Sequence, residues 1–263
     1  MDLFGFNPDS ILSFLLTLFR VSIVLFLLPF FGGQSIPKTV KAALVLALSA
    51  ALWPQLSFPG TMFPGTGTGI VLMLLGEIIL GLMLGLLVQF LFGAVQFGGQ
   101  IIGFQMGFSM VNVVDPITGT SNAATAHFLY MCTMLTFLVL NGHLELLNAV
   151  GISFKYIPPG GLLLTPGLSK HILEFSNLMF ILAIKIAAPV MAALFLVDLS
   201  LALIARAAPQ MHVLVLGFPI KVTVGFFFLG FLFTIMANYV SDFIGLLSEI
   251  FRTVMQAAGP NTF

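Results

Sequence analysis

Charge is almost missing from this sequence: 7% of its 263 residues are Asp, Glu, Lys or Arg, nine acidic against nine basic. That balance leaves no basic field for nucleic acid or an acidic ligand. Cysteine occurs once, at Cys132 in an apolar run, so no internal disulfide can form, and the residue reads as a small buried hydrophobe. The histidines, His127, His143, His171 and His212, fall in different segments, and neither an HExxH pattern nor a Cys/His pair accompanies them. No metal or other cofactor is expected. A GxxxxGK[ST] phosphate loop is missing too, and no Ser/His/Asp arrangement is supported by spacing, so catalysis has no positive signal. Alternating segments of about ten residues are also lacking, which excludes a membrane barrel. What the chain does have is hydrophobicity, 59% of residues with a mean hydropathy of +1.16. Several runs reach the roughly 18 apolar residues needed to cross a hydrocarbon core, where backbone polar groups must be satisfied within a helix. The fold class is therefore an all-α integral membrane protein.

About six apolar segments can be traced. The first runs from Ile11 to Phe31 and should be retained, because no cleavage pattern follows it. The second spans Lys38 to Gln55, and SFPGTMFPGTGTG at 57–69 breaks the chain. A third runs from Ile70 past Gln96 into GFQMGFSMVNVVDPITGTSN at 103–122; a fourth covers Ala123 to Leu140, with Asn141-Gly142-His143 and on to Ala149 as an optional extension. Pro158-Pro159-Gly160-Gly161 and Pro166-Gly167 mark a linker over 151–175, separating an N-terminal portion, 1–150, from a C-terminal hairpin, 176–263. The hairpin's first arm contains Pro189, and its reversal is expected within RAAPQMHVLVLGFPIK at 206–221. The bias of loop Lys and Arg is small and leans toward an N-terminus outside the cytoplasm.

Most charges fall at segment ends, leaving Glu77, Lys185 and Asp198 inside apolar runs. Each costs about 2.5–3.5 kcal/mol at a bilayer centre, so each is expected to be buried against protein or to face water. Lys185 and Asp198 lie about 19 Å apart along a straight helix, so their partners must come from other helices or chains. The plain reading is a pair that sets helix register. The other is an ion or solute path, as in a secondary transporter or channel.

Glycine is the most informative residue. Gly81 and Gly85 share one helix face, and Gly99, Gly103 and Gly107 share another. Such faces let helix backbones approach closely, within one chain or between chains. In the second series Phe104 and Phe108, and Met106 and Met110, project between the glycines before Asp115-Pro116 and Thr118-Gly119-Thr120 break the helix. Irregular backbone at membrane depth must line a cavity or be buried in protein, so an apolar, glycine-hinged pore closure is one role open to this stretch.

Pro29, GGQSIPK at 32–38, GEIILGLMLG at 76–85, GGQIIGFQMG at 98–107, NGH at 141–143, and RAAPQ with GFPIK in 206–221 occur in an order that resembles the FliR family of bacterial flagellar export-gate subunits, with counterparts in type III injectisomes. The resemblance covers nearly the whole chain. It implies a non-enzymatic subunit at the flagellar basal body in the bacterial inner membrane. One copy would join several P-type and Q-type subunits, and also the B-type export switch, in a channel for unfolded flagellar proteins, contacting lipid but no nucleic acid. It further implies a P-like portion at 1–150, a Q-like hairpin at 176–263, and a plug over about 103–122. Gly103, Phe104, Met106, Gly107, Phe108 and Met110 are then the expected plug residues, and Arg206, Pro209, Gln210, Pro219 and Lys221 the hairpin tip.

Overall fold

A computed structural model describes residues 8–33, 36–56, 66–108, 124–158, 160–162, 165–210 and 213–259. Among these the regular structure is entirely helical. Helix α1 is Pro8–Leu27 and α2 is the single turn Pro29–Gly32. One uninterrupted helix was expected through Phe31. Instead Leu28 is extended (φ −64°, ψ 133°), because a residue preceding proline is pushed out of the helical region. Helix α3, Lys38–Leu52, gives way to a 3-10 turn at Trp53–Leu56, where Pro54 has no N–H to continue the ladder.

Helix α4 is Gly67–Gln105, 39 residues long. Helices α5, Ala124–Val139, and α6, Gly142–Tyr156, are separated at Asn141, which takes a left-handed conformation (φ 58°) that asparagine tolerates better than most residues. Helix α7, Pro166–Ala207, runs 42 residues through Pro189, and α8, Val213–Ala258, runs 46 through Pro219.

Two expectations change here. The linker is much shorter than 151–175, since α6 continues to Tyr156 and α7 already begins at Pro166. Pro166-Gly167 reads as a breaker, yet proline is well suited to a first helical position, and the Thr165 hydroxyl accepts the Leu168 N–H at 3.2 Å as an N-cap. The chain reversal is also tighter than 206–221, because only 208–212 separate α7 from α8. Pro219 and Lys221 therefore belong to a helix, not to the tip. Among the described residues four helices, α1, α4, α7 and α8, are long and apolar enough to span a membrane, with a fifth span if α5 and α6 count together. The count of six is not reproduced, partly because α3 is only 15 residues long.

The chain divides into two compact units: residues 1–89, 141–175 and 245–263 form the first, and 90–140 and 176–244 the second. Each draws on sequence from both sides of the linker. In the first, α1 packs on α3, with Phe14 edge-on to Trp53, and Leu16, Val24, Leu84, Val88 and Leu146 are buried. In the second, Ile102, Leu129, Ile186, Val190 and Leu232 form the core.

Candidate functional site

Within the first unit, Arg20 of α1 and Glu77 of α4 are both completely buried and joined by two parallel hydrogen bonds, Nε to Oε2 at 2.5 Å and Nη2 to Oε1 at 2.9 Å. Arg20 also donates to the Ser153 hydroxyl of α6 at 3.0 Å and to the Ile157 carbonyl at 3.1 Å. Its guanidinium carbon lies 3.9 Å from the Phe154 ring centroid. This meets the demands of a buried pair: planar bidentate geometry, further acceptors for the remaining N–H groups, and an aromatic face for the cation. The carbonyl comes from the C-terminal end of α6, where the helix dipole favours a positive charge. Ser153 donates in turn to the Val150 carbonyl at 2.7 Å. One guanidinium thus ties α1, α4 and the end of α6 together. Arg20 was missed in the sequence, although LTLFRVSIV places an arginine in the middle of the first apolar run as plainly as any of the three charges that were noted.

Of those three, only Glu77 is buried. Lys185 is exposed on α7, and Asp198, 42% exposed at its side chain, pairs with Lys221 of α8. The second pair is partly exposed, and exposed pairs contribute roughly 0–1 kcal/mol. These residues do not converge on a solute: both Glu77 oxygens are engaged by Arg20, and Asp198 is paired on the neighbouring arm.

Glycine sets the close approaches. A Cβ at Gly81 would meet the Ile23 side chain at 2.9 Å and the Arg20 carbonyl at 3.2 Å, and one at Gly85 would meet Leu27. Both glycines therefore seat α4 against α1, and the Gln89 side-chain amide beyond them donates to the Leu27 carbonyl. In the second unit a Cβ at Gly99 would lie 2.6 Å from the Ala126 Cα, while the Thr125 hydroxyl donates to the Gly99 carbonyl at 2.9 Å.

The C-terminal end of α4 carries the first half of the expected plug. Gly103 and Phe104 lie in its last turn, so the irregular stretch begins at Met106. Gly107 has φ +89°, its N–H bonds the Phe104 carbonyl at 3.1 Å, and the Phe108 N–H bonds the Gly103 carbonyl at 3.1 Å. This is a Schellman termination, which explains glycine at 107 without appeal to a hinge, since any L side chain would be strained there. Phe104 is 71% exposed. Met106, by contrast, is wholly buried in the second unit's core. Phe108 is half-buried and faces the Phe226 ring edge-on at 6.4 Å between centroids. Met110 and the residues to 123 lie outside the described residues. At the reversal Arg206, in the last turn of α7, and Pro209 and Gln210 beyond it are accessible at the surface.

Long apolar helices with extensive exposed apolar surface define a membrane-embedded, all-helical protein. Residues 11–259 match the pattern of bacterial export proteins, family 1. The chain is 33% identical over 254 residues to the flagellar biosynthetic protein FliR of Bacillus subtilis (strain 168), covering 95% of this chain and 97% of that one. It is 32% identical over 235 residues to FliR of Escherichia coli (strain K12), covering 89% and 88%. It is 27% identical over 240 residues to the surface presentation of antigens protein SpaR of Salmonella typhimurium, covering 91% and 86%. The chain belongs to family 1 of the bacterial export proteins, the FliR family. It is a membrane-embedded component of a flagellar or type III protein-export apparatus, and such a component works alongside the other parts of that apparatus. These two relatives are named flagellar biosynthetic proteins, and neither name is that of an enzyme.

Proposed function

We propose that this chain is a non-enzymatic subunit of the flagellar export gate in the bacterial inner membrane, assembling as one copy with P-type and Q-type subunits around a channel for unfolded flagellar proteins. In this reading residues 1–150 are the P-like portion, 176–263 the Q-like hairpin, and the segment beginning at the end of α4 closes the channel. The B-type export switch docks on the assembled gate.

The observation that carries the reading is the length of apolar surface. Helices α7 and α8, of 42 and 46 residues, measure about 63 and 69 Å along the helix, twice the roughly 30 Å hydrocarbon core. Large apolar side chains on α7 are exposed from Leu173, 70%, to Leu203, 62%. That stripe runs about 45 Å along the helix, whereas at the upper tilt of about 40° a roughly 30 Å core covers only about 39 Å of it, so partner helices supply the rest. The relatives named flagellar biosynthetic proteins favour the flagellar machine.

Phe104 and Met110 are the remaining candidates for obstruction at the start of the closing segment, and Phe108 flanks them. Deleting residues 109–118, which leaves Met106 and the Schellman turn in place, is expected to preserve the purified complex while raising passive ion leak across the membrane. An assembled deletion complex with wild-type permeability would remove the closing role.

A further inference from the structure

Three atoms of Met106, Cγ, Sδ and Cε, lie 2.7 Å from where a Cβ would stand at Gly225 of α8, so the thioether occupies a notch that exists because residue 225 has no side chain. Met106 is wholly buried there, in one cluster with Ile102 of α4 and Leu229 of α8. The following turn continues onto the same helix: a Cβ on Gly107 would meet the Phe218 ring at 3.3 Å, and Phe108 faces Phe226. Met106, Gly107 and Phe108 thus lie along a single stripe of α8, at positions 218, 225 and 226. Close packing of this kind has discrete fits rather than a continuous range, and an unbranched thioether fills such a notch well.

We infer that Met106 and Gly225 form an anchor that fixes the end of α4 to α8, and that Met106 stays seated there throughout export. The anchor rests on the closing role proposed above for the segment that follows. It assigns Met106 to positioning, not to obstruction. It also makes α8 the element to which the root of that segment is held.

The test uses the assembled complex in cells, with leak and export both normalised to complex abundance. Gly225→Val is expected to expel Met106 and raise ion leak several-fold, and Met106→Ala combined with Gly225→Val to return leak toward wild type by restoring room. Leak unchanged in G225V while deletion of 109–118 does leak would overturn the anchor and spare the closing role; wild-type leak in both would sink the two together. Should G225V fail to assemble, a second variant decides: Met106→Cys with Gly225→Cys, in a Cys132→Ser background, places two Cβ atoms within disulfide reach. Equal export from its oxidised and reduced forms supports a fixed root. Export blocked by oxidation and restored by reduction shows that Met106 must withdraw, which contradicts the proposal.

Discussion

Replacing Arg20 by methionine should destabilise the unit that contains α1, α3 and α6 by about 3–5 kcal/mol, because Glu77 is then left charged and buried without a partner. Replacing both residues by methionine should recover most of that loss. The pair's attraction is set against the desolvation of two ions, and apolar side chains of similar volume often do as well. Arg20→Lys should fall near the single mutant, since an ammonium cannot reproduce the planar contacts to Glu77 together with those to Ser153 and Ile157. The measurement is a double-mutant cycle on thermal inactivation of the purified complex, with cellular abundance as a second readout. Strictly additive single and double mutants would show that the two charges are not coupled.

The second large effect is expected at Gly99. Valine there would drive its Cβ into the Ala126 backbone, at 2.6 Å from Cα and 3.2 Å from the amide nitrogen. Backbone cannot rotate aside as a side chain can, so α4 and α5 must separate. The separation also stretches the bond from Thr125 to the Gly99 carbonyl. A cost of about 1–3 kcal/mol follows from overpacking, with more if the helices part fully. The matched control is Gly230→Ala: nothing lies within 4 Å of a Cβ at Gly230, so alanine should be neutral or, through helix propensity, slightly favourable by up to about 1 kcal/mol. Swimming motility and protein abundance distinguish the two. Full abundance and motility for Gly99→Val would mean that the observed approach of α4 to α5 is not the working one.

These two sites differ in how legible they were. The Gly99 face follows from i, i+4 spacing and needs no partner to be recognised; only the identity of the facing helix waited on the structure. Arg20 was equally visible as a charge in an apolar run, but its pairing with Glu77 joins residues 57 positions apart, and periodicity within a helix carries no information about that. Prolines misled in a consistent way. Pro29 cut a helix that hydropathy alone would continue, while Pro166 began one where a loop was expected, because proline stops a helix in its interior and starts one at its first turn. Burial at Met106 was the least legible feature. Its neighbours Phe104 and Phe108 share its apolar character, yet the three differ from exposed to half-buried to fully buried, since a glycine on a distant helix happens to receive only one of them.

Exposed apolar length has the same origin. Leu173, Phe195 and Leu203 are surface residues of the chain taken alone, and no reading of one sequence says what covers them. Membership of the export family turns that surface into an expectation of partner helices.

The most direct measurement is therefore the mass of the intact particle. Native mass spectrometry of the tagged chain, extracted from its own membranes in mild detergent, should show one copy of it with several copies of two smaller hydrophobic subunits, and little of the chain alone. A chain recovered by itself that translocates substrate when reconstituted into vesicles would contradict the account.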